Sequence, residues 1–108
     1  MTLIRREGFV TALHDRIVWY SSQHDHGSDA ATRLAEEFAR AVDASIGRIA
    51  IHPELGAVWA HRRGYRFTLV ERPSHRWLIF YRYQDLGTVE LVELIRSERD
   101  LPRRVDAI

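Results

Sequence analysis

The chain has 108 residues, a length that supports one domain with a single hydrophobic core. It contains no cysteine, which excludes a disulfide framework, a thiolate zinc site and a cysteine nucleophile. No apolar run reaches the length of a membrane span, no signal-peptide pattern opens the chain and the net charge is +1, so we expect a cytoplasmic globular protein.

The N-terminal half predicts a short strand followed by two helices. Thr2 to Arg5 is an extended segment that could form an edge strand. Phe9 to Tyr20 carries apolar side chains at helical spacing. After a polar loop at Ser21 to Gly27, with Ser28 as N-cap, a second amphipathic helix runs from Asp29 to Ile49 or Ala50. We expect these helices to form an antiparallel hairpin.

The C-terminal half predicts a small sheet. Pro53 ends the second helix, and Ala57 to Arg63 connects it to three runs rich in β-branched and aromatic residues. Such runs, separated by turn residues, indicate an antiparallel three-strand meander between Gly64 and Ile95. Pro73-Ser74 is expected to close the first hairpin, and a three-residue loop at Asp85-Leu86-Gly87 the second.

Alternation along these runs predicts the register and divides the sheet into two faces. Phe80 is expected opposite Phe67 and Val92, and Leu78 opposite Leu69 and Leu94. The face expected to meet the helices carries Phe67, Leu69, Leu78, Phe80, Val92 and Leu94. The second face carries Arg66, Thr68, Val70, Trp77, Ile79, Tyr81, Tyr83, Leu91, Glu93 and Ile95. It is too apolar to face water, so either a partner covers it or the N-terminal strand and C-terminal tail fold over it.

Candidate catalytic and metal-binding residues are few. His24 and His26 form an H-x-H pair with no convincing third ligand, so we expect a solvated loop and no metal site. Phosphate-loop, nucleophile-elbow, zinc-protease and dinucleotide motifs are absent from the sequence, which predicts neither a cofactor nor a classical metabolic enzyme. Arg82 is expected to pair with Glu90 across the last hairpin.

All 16 basic residues are arginine. A GC-rich genome would produce this bias, and so would recognition of phosphate or carboxylate groups by the planar guanidinium. Composition alone leaves both explanations open. The absence of lysine also removes one type of catalytic base.

In this order and spacing, the elements resemble the RelE/ParE superfamily of type II toxins. Phe9 to Trp19 and Leu34 to Ile49 resemble the family's two helices, and His52 to Gly56 resembles the turn that follows them. Leu78 to Arg82 resembles the central strand, and Leu91 to Asp100 resembles the last strand with its tail. The resemblance spans nearly the whole chain. It implies one α+β domain, residues 1–108, with a helical hairpin packed on one face of a small antiparallel sheet.

The resemblance also implies a toxin that a cognate antitoxin neutralises. ParE-like members poison DNA gyrase by protein–protein contact, whereas RelE-like members cut messenger RNA on the ribosome. Arg66 matches the phosphate-stabilising arginine of the RelE-like branch, with His75 or Tyr81 as its companions. The tail, however, reads Ser97 to Asp100 where many nucleases of this branch supply an acid. We therefore favour a ParE-like toxin that is not an enzyme, with an inactive, antitoxin-binding homologue as a third alternative.

An antitoxin-facing surface is the remaining expectation. It should combine the chain's three tryptophans with tyrosines and arginines around the sheet. The residues are Trp19, Trp59, Arg63, Arg66, Trp77, Tyr81, Tyr83, Arg96 and Arg99. We expect no membrane contact and no sequence-specific DNA binding by the toxin alone.

Overall fold

A computed structural model describes residues 2–22, 28–60, 62–70, 77–85 and 87–96, with the backbone alone at Ser28, Gln84 and Asp85. The elements are β1 (Thr2–Arg5), α1 (Glu7–Ser21), α2 (Ser28–Ile51), β2 (Ala57–Val58), β3 (Tyr65–Val70), β4 (Trp77–Asp85) and β5 (Thr88–Ile95). A single 3-10 turn, Pro53–Leu55, follows α2. Several predicted features lie outside the described residues: His24, His26, the Ser28 side-chain cap, the Pro73-Ser74 turn, His75, Arg99 and the tail after Arg96.

The five strands form one mixed sheet in the order β1-β5-β4-β3-β2. The predicted edge strand is confirmed, because β1 lies beside β5, and this pair is parallel. The other three pairings are antiparallel. The prediction of a three-strand meander is therefore incomplete. Its three strands occupy the centre of the sheet, and the connector adds β2 through the pairs Ala57–Phe67 and Val58–Arg66.

The predicted register of β3 against β4 is confirmed. Phe67 lies opposite Phe80, and Leu69 lies opposite Leu78. Alternating large apolar side chains define this register, since a slip of one residue would move every side chain to the other face.

The predicted turn between β4 and β5 is wrong by one residue. Asp85 pairs with Thr88, so two residues separate the strands instead of three. Phe80 also lies opposite Glu93 rather than Val92, because a separate register shift falls between Phe80 and Tyr81. Register shifts elsewhere in the pair restore the predicted pairing locally, and Arg82 does lie opposite Glu90 as expected. The shift between Arg82 and Asp85 compensates for the short turn, and the bulge at Val92 then displaces the pairing again, because an extra residue in one strand shifts the alternation that follows it.

The helices cover the sheet face opposite to the predicted one. The main core joins α1 and α2 to β3, β4 and β5, and its buried members are Phe9, Tyr20, Ala35, Phe38, Val42, Ile46, Ile49, Val70, Trp77, Ile79, Tyr81, Val89, Leu91 and Leu94. The apolar side chains predicted at helical spacing in both helices thus pack in or against the main core, as expected. The side chains on both sides of β4 are apolar, so their alternation predicts which residues share a face but not which face meets the helices.

The other face has a smaller core of its own. Phe80, Val92 and Ile95 are buried there, and Trp59, Tyr65 and Phe67 pack against them. The face predicted to need a partner is therefore under the helices, and the far face is partly covered by the connector that carries Trp59. The N-terminal strand, which was one predicted cover, lies at the sheet edge beside β5.

Candidate functional site

The turn after α2 is held by two side chains from the sheet. The hydroxyl of Tyr81 donates to the carbonyl of Pro53 at 2.6 Å and accepts from the amide of Gly56 at 3.1 Å. Nη1 of Arg66 donates to the carbonyls of Glu54 at 2.8 Å and Gly56 at 2.9 Å. Adjacent strands position these side chains, because Arg66 lies directly opposite Tyr81 in the sheet.

Burial determines the chemistry of Tyr81. Its side chain is 0 % exposed. Removal of the phenol from water raises the pKa of Tyr81 above its ordinary value, although the amide of Gly56 and the charge of Arg66 oppose this shift. The turn approaches the ring so closely that a Cβ atom on Gly56 would overlap the Tyr81 hydroxyl. Tyr81 is thus a neutral hydrogen-bonding group at neutral pH.

This arrangement brings together two of the three residues considered for ribonuclease chemistry. Arg66 and Tyr81 are neighbours, as a nuclease would require, and His75 lies outside the described residues. A general acid must reach the leaving oxygen of its substrate. Tyr81 has no exposed surface with which to do so. Arg66 and Tyr81 are positioned to anchor the Pro53–Leu55 turn to the sheet through hydrogen bonds.

A second arrangement lies where α1 meets the sheet. The guanidinium of Arg16 is sandwiched between two indole rings, 4.8 Å from the ring centre of Trp19 and 4.8 Å from that of Trp77. Trp77 is buried in the main core, whereas Trp19 is 46 % exposed. Two cation–π contacts of this kind hold the guanidinium in place by about 0.5 to 2 kcal/mol each. The arrangement forms one rigid cationic group at the surface.

The other predicted partner residues do not form one surface. Trp59 lies on the far face, with its ring edge toward Phe67 and Phe80. Tyr83 packs at the margin of the main core, while Arg63 and Arg96 are exposed. Trp77 and Tyr81 are buried in the main core under the helices, and their predicted contact with a partner stays a prediction.

Sequence reasoning missed Arg16 and the role of Gly56. Arg16 and Trp19 are three residues apart on α1, a spacing that places their side chains side by side. That signal was present in the sequence. The second ring, Trp77, comes from β4 and reaches Arg16 only through the tertiary fold, as does the contact between Gly56 and Tyr81.

No group of three or more potential ligands for a metal ion occurs among the described residues. Neither helix within these residues is long and apolar enough to cross a membrane.

The family model for the ParE toxin of type II toxin-antitoxin system, parDE, matches residues 11–101, and the chain belongs to this toxin family. A solved structure, described as the chromosomal ParDE TA system from P. aeruginosa, has a similar fold with a TM-score of 0.63. The two sequences are 13 % identical, and the similarity covers 91 % of this chain and 97 % of that one. A search of curated proteins found no match.

Proposed function

We propose that this toxin stops growth by contacting DNA gyrase and that a cognate antitoxin neutralises it in the cytoplasm. Membership of the ParE family supports this function over messenger RNA cleavage. The observation that carries the choice is the burial of Tyr81, whose hydroxyl is bonded to Pro53 and Gly56 and has no access to a substrate. Arg66 is likewise oriented onto the turn by two backbone carbonyls.

The exposed side of α1 supports a protein partner. Val18 and Trp19 are adjacent near the C-terminal end of α1, and each is nearly half exposed, at 49 % and 46 %. Large apolar side chains grouped on one helix are a typical feature of protein-binding surfaces, and tryptophan is enriched among the residues that dominate binding energy. We assign this helix side to the antitoxin and make no assignment of the gyrase contact.

The test combines two assays on the same purified chain. The chain is added in excess to gyrase, ATP and relaxed plasmid, with and without the protein encoded by the adjacent gene. We expect supercoiling to stop with the chain alone and to resume when the neighbouring protein is present. Transcripts from cells expressing the chain are mapped in parallel, and we expect them to remain intact during growth arrest.

The outcomes separate the alternatives. Normal supercoiling with excess folded chain would reject the gyrase proposal. Cleaved transcripts would assign the toxin to the ribonuclease mechanism. A chain that binds the neighbouring protein but leaves growth, supercoiling and transcripts unchanged would be an inactive homologue. Arg40→Gln is a suitable control variant, because Arg40 lies in an exposed pair with Glu36 on α2.

A further inference from the structure

A cavity of about 440 Å³ adjoins the sandwiched arginine. It lies between α1 and the neighbouring ends of β4 and β5, and its wall includes Asp15, Arg16, Trp19, Trp77 and Arg96. Among the described residues that line it, Arg16 and Arg96 are cationic and Asp15 alone is acidic, so this part of the wall carries a net positive charge. This is the charge that an acidic ligand requires.

The guanidinium of Arg16 still has its hydrogen-bonding capacity. A guanidinium carries five N–H donors, and a cation–π contact leaves donors available to oxygen acceptors. Within the described part of the chain, no hydrogen bond or ion pair joins Arg16 to an acceptor. An oxygen ligand in this cavity would therefore meet donors whose positions are already fixed.

A second cavity, of about 470 Å³, continues from the first along α1. Its wall has the opposite charge, with Glu7, Asp15 and Glu93, and it shares Ala12 and Asp15 with the first cavity. A polyanion lying along this side of α1 would approach these carboxylates within about the Debye length, and its phosphates would be repelled. A peptide can place one acidic and one basic side chain in the two cavities.

We propose that the Arg16 cavity receives a carboxylate side chain of the antitoxin and that the Glu7 cavity receives a basic side chain of the same segment. This inference rests on the proposed neutralisation by an antitoxin. Glu7 and Arg16 are nine positions, or two and a half turns, apart on α1, so their side chains leave the helix in opposite directions. The segment that occupies both cavities therefore passes over Ala12 and Asp15, which the two cavities share.

The experiment measures the affinity of the full chain for the protein encoded by the adjacent gene, at low and at physiological salt. Arg16→Gln is expected to weaken binding about 10- to 100-fold, the loss typical of removing a hydrogen bond to a charged group. Arg40→Gln removes the same charge from the exposed side of α2 and should leave the affinity unchanged. Arg16→Lys keeps the charge without the planar fork and should fall between the two.

Thermal unfolding of each variant shows whether it is folded before its affinity is read. Should Arg16→Gln fail to fold, Arg16→Lys and the charge swap decide the question. In the swap, Arg16→Glu is combined with replacement of each acidic residue of the partner by arginine, and one such combination should restore the affinity. An affinity for Arg16→Gln within twofold of the unmodified chain, or no restoration by any swap, would overturn the cavity proposal.

Two outcomes distinguish this proposal from the function on which it rests. If the unmodified chain does not bind the neighbouring protein, both the antitoxin proposal and the cavity proposal are wrong. If the complex forms with every Arg16 variant at equal affinity, neutralisation stands and the cavity proposal alone is wrong. A single-stranded RNA oligonucleotide is tested in parallel. Loss of RNA binding in Arg16→Gln, with partner binding retained, would show that the cavity receives phosphate, which contradicts the proposal.

Discussion

The hydroxyl of Tyr81 should stabilise the whole fold through one turn, and Tyr81→Phe tests this directly. The substitution keeps the ring and removes only the oxygen, which donates to the Pro53 carbonyl and accepts from the Gly56 amide. Pro53 is buried, so water cannot easily replace the lost donor at its carbonyl. A buried polar group left without its partner costs about 1 to 3 kcal/mol. Because Gly56 is less buried than Pro53, we expect a total loss of about 2 to 4 kcal/mol.

The loss is measured by urea unfolding followed by circular dichroism. The midpoint should fall while the slope against urea stays unchanged, since the folded surface is the same. In a chain of this size each kcal/mol lowers the melting temperature by about 4 °C or more, so a decrease of roughly 8 to 20 °C is expected. Tyr65→Phe is the control, because the Tyr65 ring stacks on Phe80 and no hydrogen bond of its hydroxyl occurs among the described residues.

A loss below about 0.5 kcal/mol, the scatter of ordinary surface substitutions, would refute this account. The turn would then be held by Arg66 alone or by water. A double-mutant cycle of Tyr81→Phe with Arg66→Met distinguishes these possibilities, because both side chains hold the same turn. Their effects should be coupled by about 0.5 kcal/mol or more.

Two further predictions concern the same part of the molecule. Gly56→Ala should destabilise the fold by about 1 to 3 kcal/mol, because the new Cβ overlaps the Tyr81 hydroxyl, and a Tyr81→Phe background should relieve part of the loss. Gly47→Ala is the matched control: nothing lies within 4 Å of its Cβ position on α2, so stability should rise by about 0.5 to 1 kcal/mol, and a loss there would contradict the helix geometry. Stability should also fall with rising pH above about 10, because the unfolded chain releases a phenolic proton that Tyr81 retains when buried. Urea midpoints on both sides of that pH measure the slope, which should diminish in Tyr81→Phe; an equal slope would assign it to other groups.

Alternation of side chains was sufficient to predict the pairing of β3 with β4. Phe67 lies opposite Phe80 because large apolar residues recur at every second position in both runs. The same pattern could not show which face meets the helices. Trp77, Ile79 and Tyr81 on one side of β4 are as apolar as Leu78 and Phe80 on the other. Central strands are buried on both sides, so hydrophobicity alone does not rank the two faces.

The second hairpin shows a different limit of sequence analysis. A three-residue turn was expected because it gives an unbroken alternation between β4 and β5. The chain instead makes a shorter connection, which a register shift between Arg82 and Asp85 compensates, and a separate bulge at Val92 shifts the pairing again. Nothing in the sequence around Val92, such as a glycine, marks this bulge. Its effect is considerable, because it places Leu94 in the main core and Ile95 on the far face.

Arg66 and Arg16 count equally in the composition of the chain, but they contact different kinds of atoms in the fold. Arg66, the residue expected to bind phosphate, donates instead to two backbone carbonyls and holds the turn after α2 against the sheet. Arg16, which no motif marked, lies over two indole rings, and no hydrogen bond joins it to an acceptor among the described residues. Ring contacts restrict the motion of a guanidinium without using its N–H donors. Binding of a ligand at Arg16 therefore costs little side-chain entropy at the arginine. The proposed recognition of an acidic side chain by Arg16 thus depends on where the fold places Trp77, rather than on the number of arginines in the chain.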